Sequence, residues 1–570
     1  MKKLVVGGLC LAVGGLLAGC CESTCEKTYD VVIYGSSPAA LSAAISAQRL
    51  GKSAVIVCPE TRIGGLTTGG LGQTDIGNKS AFGGLALQFY KDVADYYKDE
   101  ANWTWQKRSD YLPEGQCAGS LGADSMWTFE PHAALQILEG WEKKHGLNIR
   151  RGEYLDRSKS GVEVEGGKIK SIKTLKGTVY RGRMFVDATY EGDLMAAAGV
   201  TYFVGREANA VYGETISGIE MRGAKNHQLM KGVDPYVVKG DSKSGLLPNV
   251  EPYNPSEKDG DGDKRVQAYC FRMCLTDVPE NRIPFVKPAN YRELDYELLL
   301  RNLESVDPKV FAEEVKDYWK FMPWINSKMP NRKTDTNNRT GFSTDFIGRN
   351  WSWPEASYAE REKILKEHLD YQMGLMWTLA NHPRVPAAIR NEVAKWGTCR
   401  DEFKDGLGNG WQNQLYVREA RRLVGDVVMT EHHCRGDRTV LRPVAMGAYG
   451  VDSHNVRRHV GADGFVHNEG NIEDYKGVDG NRFPPYGVDY GAIIPKRGEC
   501  ANLFVPVCLS ASHMAFGSIR MEPVFFALGQ VAGTAAAQAI DGGCAVQDLP
   551  YAPLRKQLLA DGQVIERKAD

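Results

Sequence analysis

Residues 30–57 constrain the fold of this chain more than any other segment. A short apolar run ends at Tyr34, and a turn of small residues, an alanine-rich stretch up to Gly51 and a second apolar run follow. Glycine commonly ends a helix because it adopts the left-handed conformation that follows the last turn. A strand, a helix and a second strand of these lengths form a βαβ unit. The sequence therefore predicts a doubly wound sheet, with a helix N-terminus placed to bind a dinucleotide pyrophosphate.

The turn of this unit departs from the Gly-x-Gly-x-x-Gly pattern of dinucleotide-binding proteins. Gly35, Ser37 and Ala40 stand at the three glycine positions, and Cys58 stands where an acidic residue is expected. The turn alone therefore also fits a Rossmann-like enzyme that binds no nucleotide. A glycine-rich segment at residues 62–72 follows directly, and bare backbone of this kind suits close contact with a cofactor.

Together, these segments resemble flavoproteins of the glutathione-reductase-like superfamily. The likeness is greatest to secreted bacterial FAD-dependent oxidoreductases that begin Tyr-Gly-x-x-Pro-Ala-Gly and continue Gly-Gly-x-Thr-x-Gly-Gly-Leu. The resemblance implies FAD as the cofactor, rather than NAD. The segments that carry it are residues 34–40, 64–71, 185–194, 333–338, 351–355 and 502–537.

The resemblance also implies where FAD would lie. It would contact the βα turn, the end of the second strand, the double-glycine segment, the strand that ends at Asp187, and the start of the last long helix. A helix N-terminus at that last place would stabilise negative charge on the flavin pyrimidine ring. The residues expected to contact FAD are Gly35, Ser36, Ser37, Pro38, Ala39, Ala40, Pro59, Glu60, Gly64, Gly65, Leu66, Thr67, Thr68, Gly69, Gly70, Tyr154, Ala188, Thr189, Ser518, Met521, Glu522 and Pro523.

We expect an α/β fold in which a Rossmann-like FAD-binding domain, a parallel sheet within three layers, carries an inserted α+β cap on the substrate side. Residues 28–210 and 410–570 would form the FAD-binding domain, and residues 211–409 the insertion. A chain of this length is sufficient for two domains. Further helices are predicted at residues 131–145, 413–428 and 523–540 and from 351–355 onward. Further strands are predicted at 148–155, 266–275 and 502–507, and a hairpin at 161–179.

The first 20 residues have the features of a bacterial lipoprotein signal peptide. Two lysines precede an apolar segment, and residues 17–20 match a lipobox. Cleavage before Cys20 and lipidation of its thiol would anchor the chain in the bacterial cell envelope, in the periplasm or at the outer membrane. A plain secretion signal with an incidental cysteine is the alternative. No other stretch is long and apolar enough to span a bilayer.

The overall composition argues against some classes of partner. Lys and Arg number 70 against 71 Asp and Glu, which gives no support for a nucleic-acid-binding surface. Of 13 cysteines, only Cys10 and Cys20 fall in the signal region. An odd number then remains, so that outside a reducing compartment at least one thiol is free or paired with another molecule. No group of His and Cys has zinc spacing, and we expect no metal site.

Three residues are candidates for catalysis. His513 lies between the final strand and the helix expected to face the flavin, where a base could take a proton as hydride leaves the substrate for flavin N5. His454, between Ser453 and Asn455, is the second candidate, and either histidine could instead make a structural hydrogen bond. Arg520 would be the acid in a reductase of the fumarate-reductase type, with Arg421 as its substitute.

We therefore expect an FAD-dependent oxidoreductase that takes hydride from a small polar substrate. The insertion is rich in Asn, Asp, Thr and Trp, which favours a sugar, a polyol or a glycoside, although a solvated loop has the same composition. The alternatives are a flavin-dependent reductase and a non-catalytic, lipid-anchored glycan-binding protein. The sequence does not indicate the electron acceptor.

Overall fold

The computed structural model describes residues 26–114, 123–312, 318–474 and 483–566. Cys20 and the predicted signal peptide lie outside these ranges. The described helices are α1 (Pro38–Arg49), α2 (Gly65–Thr68), α3 (Gly84–Tyr96), α4 (Pro131–His145), α5 (Asp193–Ala197), α6 (Asn209–Tyr212), α7 (Glu297–Glu304), α8 (Tyr358–Asn381), α9 (Ala387–Val393), α10 (Glu431–Arg435), α11 (His513–Ile519), α12 (Glu522–Gly542) and α13 (Tyr551–Ala560).

Strands alternate with these helices at both ends of the chain. The described strands are β1 (Glu26–Tyr34), β2 (Ala54–Val57), β3 (Ile149–Arg150), β4 (Val162–Glu165), β5 (Lys168–Lys173), β6 (Val179–Asp187), β7 (Tyr202–Val204), β8 (Cys274–Thr276), β9 (Arg282–Ile283), β10 (Trp324–Met329), β11 (Lys333–Asn338), β12 (Gly397–Cys399), β13 (Arg421–Leu423), β14 (Pro443–Gly447), β15 (Val451–Ser453), β16 (Arg457–Val460), β17 (Val466–Glu469), β18 (Ile472–Asp474), β19 (Tyr486–Asp489) and β20 (Leu503–Phe504).

The main sheet has the order β3-β2-β1-β6-β5-β4, and β20 pairs with the second half of β6. The pairs β2–β3, β1–β2, β1–β6 and β6–β20 are parallel, whereas β4, β5 and the first half of β6 are antiparallel. Val31 and Ile33 of β1 face a core shared with α1 and α12, whereas Val32 and Tyr34 face the opposite core with the β4–β5 hairpin. Both faces of the sheet are thus covered, which confirms the predicted three-layer, Rossmann-like α/β fold.

Helix α12 packs directly against α1, because two of its glycines meet the backbone of α1. A side chain at Gly529 would collide with the backbone of Ala39, and one at Gly533 with the backbone of Ala43. Among the described residues, α12 is also the one helix long and apolar enough to cross a membrane, yet nearly all of it is buried inside the protein. The length and apolarity of α12 are therefore explained by its place in the core.

A second, antiparallel sheet forms the inserted part of the fold. Its order is β10-β11-β8-β12-β9, and its strands fall within residues 274–399. Buried side chains of α7, α8 and α9 share one core with this sheet. The expected α+β insertion is therefore present.

The predicted helix at residues 413–428 is wrong. The chain is irregular up to Ala420, and β13 then pairs with β7. The arginine spacing of this segment resembles a solvated helix face, but Arg418, Arg421 and Arg422 are buried and form ion pairs with other parts of the chain. An extended backbone lets these side chains point to different sides.

Other predicted elements begin late or are shorter than expected. Helix α8 begins at Tyr358 rather than at residues 351–355, because Ser357 and Glu360 form a capping box there. The strands expected at 148–155, 266–275 and 502–507 are shorter in the structure, where they correspond to β3, β8 and β20. Only the residues of these short strands pair with a neighbouring strand. The α4 helix and the β4–β5 hairpin are confirmed.

Candidate active site

A cavity of about 650 Å³ lies at the carboxyl ends of β1, β2 and β6. Ligands of open α/β sheets bind at this edge, and the volume lies in the usual range for ligand sites. Its walls include the predicted contacts Pro59, Glu60, Gly65, Tyr154 and Thr189. The wall residues that sequence reasoning did not predict as contacts include some at the end of β1 and in the segment that begins α8: Tyr34, Trp353, Tyr358 and Arg361.

The βα turn beside this cavity is tied to two other segments. Gly35 has a φ of +118°, and a Cβ there would lie 2.6 Å from the main chain of Ala188. The Ser37 hydroxyl donates to the carbonyl of Ala188 at 2.6 Å, and the Gly64 N–H donates to the carbonyl of Ser36 at 2.7 Å. Pro38, Ala39 and Ala40 then form the first turn of α1. The structure thus joins the turn, the double-glycine segment and the end of β6 into one unit.

Glu60 is a half-buried acidic residue of the cavity wall, which also includes Glu191 and Asp193. Burial, together with the nearby charge of Glu191, raises the pKa of Glu60 to about 7. Its Oε2 atom is buried and accepts no hydrogen bond from any residue in the described ranges. A ribose hydroxyl is the kind of donor that this atom lacks. Glu60 therefore fits the role of the acidic residue that Cys58 does not provide.

The raised pKa of Glu60 predicts a specific pH dependence of stability. The carboxyl group is easier to ionise in the unfolded chain, where its pKa is near 4.5, than in the folded protein. The stability that it contributes is thus complete below pH 4.5 and is lost as the pH rises to 7. In protein without cofactor, the free energy of unfolding of the wild type, relative to Glu60→Gln, should fall by up to about 3 kcal/mol over that interval. Denaturant titrations of both proteins at several pH values would measure this change; a difference independent of pH would contradict the assignment.

Asp193 lies at the start of α5 and in the wall of the cavity. Its carboxylate makes ion pairs with Arg157, Arg361 and Arg421 at 2.6–2.8 Å. Burial alone would raise its pKa, but these arginines hold the pKa of Asp193 well below its usual range. The N–H groups of α5 are capped instead by Asp187, whose Oδ2 accepts from the Met195 N–H at 2.8 Å.

The double-glycine segment contacts the start of α12 through Glu522. The Thr67 hydroxyl donates to Glu522 Oε2 at 2.7 Å, and the Tyr190 hydroxyl donates to Glu522 Oε1 at 2.9 Å. Burial raises the pKa of Glu522 to about 7. A Cβ at Gly65 would meet the Tyr190 hydroxyl, which also accepts the Leu66 N–H at 3.0 Å. These predicted cofactor segments therefore lie against each other.

The remaining predicted contacts are divided between this region and the interior. Thr68 ends α2. A side chain at Gly69 would collide with Gln414, and one at Gly70 with the carbonyl of Arg272. Met521 occupies the N-cap position of α12, and Pro523 lies in the first turn of this helix. Ser518 lies in α11, where its hydroxyl donates to the carbonyl of Tyr449 at 2.6 Å. Ser518 thus bonds within the interior and is not part of the cavity wall.

His454 lies between two carboxylates. Its Nδ1 is 2.7 Å from Asp345 Oδ2, and its Nε2 is 3.6 Å from Asp452 Oδ1. Arg418 Nη2 pairs with Asp345 at 2.9 Å, and Arg520 Nη2 lies 3.5 Å from Asp452 Oδ2. Burial alone would raise the pKa of Asp345, but Arg418 and His454 hold it well below its usual range. Asp345 thus holds the ring through Nδ1, whereas the Asp452 carboxylate is too distant from Nε2 for a normal hydrogen bond.

His513 lies in a neighbouring cluster with a different charge balance. Its Nδ1 is 2.7 Å from Glu419 Oε2, and Arg422 Nε is 2.7 Å from Glu419 Oε1. Burial would raise the pKa of Glu419, but His513 and Arg422 lower it to about 2. Arg422 also pairs with Glu207 at 2.8 Å. Arg422 thus pairs with two carboxylates, and Glu419 lies between Arg422 and His513.

Gln267 joins the two histidine clusters. Its Oε1 accepts the His454 N–H at 3.0 Å, and its Nε2 donates to Glu419 Oε2 at 2.8 Å. Arg520 Nη2 lies 3.4 Å from the same Oε1. The structure therefore brings the three catalytic candidates into one buried region, although none of them lines the 650 Å³ cavity.

Sequence reasoning missed the carboxylates that organise this region. Asp335 and Asp345 belong to the polar segments at residues 333–338 and 342–346, and both are buried. Tyr416 was also missed, and it packs with Leu66 and Leu71, which flank the end of the double-glycine segment. The concentration of Asn, Asp and Thr was the available signal, although it did not single out these residues.

One acidic cluster among the described residues has the spacing of a metal site. Glu130, His132 and Glu402 lie close enough to hold one ion. The Lys333 Nζ atom, however, lies 2.8 Å from an oxygen of Glu130 and 2.8 Å from an oxygen of Glu402. The ammonium group thus supplies the positive charge that a metal would bring.

Comparison with known proteins places the chain in a family. The model of the FAD dependent oxidoreductase family matches residues 30–558. The chain belongs to this family. It is therefore an FAD-dependent oxidoreductase, and the cavity with Glu60, the joined βα turn and the start of α12 fit FAD. No curated protein matches the oxidoreductase.

Solved structures resemble only part of this oxidoreductase. They include a flavin-containing monooxygenase from Stenotrophomonas maltophilia, with 18% identity over 32% of this chain and 43% of that chain and a TM-score of 0.18. The bacillithiol disulfide reductase Bdr from Staphylococcus aureus has 18% identity over 29% of this chain and 38% of that chain, with a TM-score of 0.18. The thioredoxin reductase of T. acidophilum has 17% identity over 28% of this chain and 35% of that chain, with a TM-score of 0.16. The chain thus covers less than half of each of these proteins, and TM-scores this low do not establish a common overall structure.

Proposed function

We propose that this oxidoreductase oxidises a small polar substrate, such as a sugar, a polyol or a glycoside, and that His454 takes the proton of the reacting hydroxyl. FAD, when bound, supplies the hydride acceptor. The observation that carries the proposal is the buried pair of His454 and Asp345, in which Nδ1 is held at 2.7 Å while Nε2 lies 3.6 Å from the Asp452 carboxylate. Asp345 would orient the ring and would stabilise the imidazolium that forms.

The hydrogen bonds of the two rings are the reason to rank His454 before His513. Both ring nitrogens of His513 are bonded, to Glu419 at 2.7 Å and to the Ser453 hydroxyl at 3.2 Å. His454 Nε2, in contrast, lies 3.6 Å from the Asp452 carboxylate and is the nitrogen that could receive a proton. The sequence alone favoured the opposite order, because His513 is adjacent to α12.

The polar segments of the insertion support a polar substrate. Asp335 and Asp345 are almost fully buried, with 0% and 1% exposure, so these segments are not solvated loops. Burying charged side chains is costly unless they are paired, and each of these aspartates has an arginine partner. A site of paired charges in the interior suits a ligand that offers several hydrogen-bonding groups.

An anaerobic titration tests the direction and the substrate class. The purified protein should be yellow, and a sugar, polyol or glycoside should bleach the flavin absorption band. The panel would also contain amines and short hydroxy acids that are not sugars, such as lactate. Bleaching by those compounds alone would contradict the proposal. The reductase alternative would be favoured if no compound bleached the flavin while an unsaturated dicarboxylate reoxidised the chemically reduced protein.

We also propose that the oxidoreductase is a lipoprotein of the bacterial cell envelope, anchored through Cys20. The basic start, the apolar segment and the lipobox at residues 17–20 support this location. Cys20→Ser should release the protein from the membrane fraction and leave its FAD content unchanged. The matched control is Cys10→Ser, within the apolar segment, which should stay membrane-bound. A Cys20→Ser protein that remains on membranes after high-salt washing would show that lipidation is not the anchor.

A further inference from the structure

Three guanidinium groups surround the ring of Tyr416. The Cζ atoms of Arg418, Arg272 and Arg520 lie 4.2, 5.6 and 5.9 Å from its centroid. The three arginines come from distant parts of the sequence, and all are nearly fully buried. An aromatic face attracts cations, and this accounts for part of the clustering. We call Arg272, Arg418 and Arg520 the arginine cluster.

Each member of the cluster has a partner for part of its guanidinium group. Nε and Nη2 of Arg272 donate to the two carboxylate oxygens of Asp335 at 2.7 and 2.6 Å. Arg418 Nη2 donates to Asp345 at 2.9 Å. These contacts fix the orientation of both planar groups.

The third member is held by main-chain and hydroxyl groups. Arg520 Nη2 donates to the carbonyl of Asp452 at 2.6 Å, and Arg520 Nη1 donates to the Tyr416 hydroxyl at 3.1 Å. The Asp452 carboxylate lies farther away, at 3.5 Å. The positive charge of Arg520 is therefore paired more loosely than that of Arg272.

One nitrogen of each arginine has no acceptor. Nη1 of Arg272, Nη1 of Arg418 and Nε of Arg520 are buried and make no hydrogen bond to any residue that the structure describes. A buried donor without an acceptor costs about 1–3 kcal/mol, and more for a charged group. Three such donors around one ring suit an acceptor with several lone pairs. Guanidinium N–H groups match carboxylates and phosphates, and a carboxylate is the simpler of the two for a small polar substrate to offer.

The cluster lies beside the segment expected to contact the cofactor. Tyr416 packs with Leu66 and Leu71, and a side chain at Gly70 would collide with the carbonyl of Arg272. Arg418 also shares Asp345 with His454. A group bound at the arginine cluster would thus lie near both the cofactor segment and the proposed proton acceptor.

We infer that the arginine cluster binds a carboxylate of the substrate, so that the substrate is a sugar acid rather than a neutral sugar. This inference rests on the proposed function. Asp335, Asp345 and Asp452 are the ion-pair partners of the three arginines, and the Asp75 carboxylate also interacts with Arg272 and Arg520. The substrate carboxylate would accept hydrogen bonds from the three nitrogens that these groups leave without an acceptor.

Binding of glucuronate and of glucose to the oxidised holoenzyme tests the inference. The two sugars differ by a carboxylate in place of a hydroxymethyl group, and sodium chloride would match the ionic strength of the glucose samples. The readouts are the change in the flavin absorption spectrum and the shift in Tm. Glucuronate should bind at least about tenfold more tightly than glucose, the size expected for one charge-assisted hydrogen bond.

A conservative variant locates the site. Arg418→Lys keeps a positive charge beside Asp345 but removes the planar group that carries Nη1, so folding and FAD content should be retained. Its affinity for glucuronate should fall by about tenfold or more, with glucose unaffected. The matched control is Arg497→Lys, at an exposed pair with Asp548, which should change neither affinity.

Two outcomes would overturn the inference, and a third would contradict its premise. Equal affinities for glucuronate and glucose in a fully flavinated protein would show that no carboxylate site exists. Loss of FAD from Arg418→Lys would show that the cluster contacts the cofactor rather than the substrate. A protein that takes up no FAD at all would instead contradict the proposed function.

Discussion

An enzyme in which His454 is replaced by glutamine should keep its FAD and should be reduced by substrate at least about 100-fold more slowly than the wild type, the usual size of a general-base effect. Glutamine can still donate a hydrogen bond to Asp345, which lies 2.7 Å from Nδ1 of the histidine, so the buried carboxylate is not left alone. It cannot take a proton from a hydroxyl group. Anaerobic stopped-flow measurement of flavin bleaching gives the rate directly.

Two other histidines make this result interpretable. His467 is 44% exposed and pairs with Asp463 at the surface, so His467→Gln should be reduced at the wild-type rate. His513→Gln separates the two buried candidates, because it removes the imidazole next to Glu419. If His513→Gln were the slow variant and His454→Gln were reduced normally, the proton acceptor would be His513.

Replacing Lys333 by methionine should lower the free energy of unfolding by about 3–5 kcal/mol, because breaking a buried ion pair leaves an uncompensated charge. The Lys333 Nζ atom is fully buried and lies within 2.9 Å of oxygens of Glu130, Asp401 and Glu402. Burial would lower the pKa of Lys333, but Glu402 and Glu130 hold it well above its usual range. Methionine fills a similar volume and leaves these carboxylates without their cation. Denaturant and thermal unfolding would measure the loss.

An exposed lysine provides the control for this variant. Lys366 is 70% exposed and pairs with Asp370 at 2.9 Å within α8. Surface pairs of this kind contribute about 0.5 kcal/mol or less, so Lys366→Met should unfold almost as the wild type does. If Lys333→Met lowered the free energy of unfolding by less than about 1 kcal/mol, the buried carboxylates would have to avoid the cost of an unpaired charge by taking up protons.

The parts of the fold that the sequence predicted depend on local patterns. Helix α1 follows a turn of small residues and ends before Gly51, and α4 begins at Pro131 and ends at His145, as predicted. The signals for each helix lie within that helix and its flanking residues, so they do not depend on contacts with the rest of the chain. The α/β fold and FAD follow from such segments.

The site could not be predicted in the same way, because its contacts join distant segments. Arg418 bonds to Asp345, 73 positions away, and Arg422 bonds to Glu207, 215 positions away. The spacing of these arginines favours a solvated helix when it is considered alone. Only the identity of the partners, which comes from the fold, shows that the segment is extended and buried.

The packing of α12 on α1 has a consequence for how the protein is made. The ribosome releases α1 among the first structured elements and α12 among the last, yet Gly529 and Gly533 must sit against Ala39 and Ala43. Contacts between such distant segments form slowly, and long chains expose apolar surface until they close. The N-terminal βαβ unit therefore stays uncovered through most of translation. A product that ends before α12 would leave α1 exposed, prone to aggregation and open to proteases.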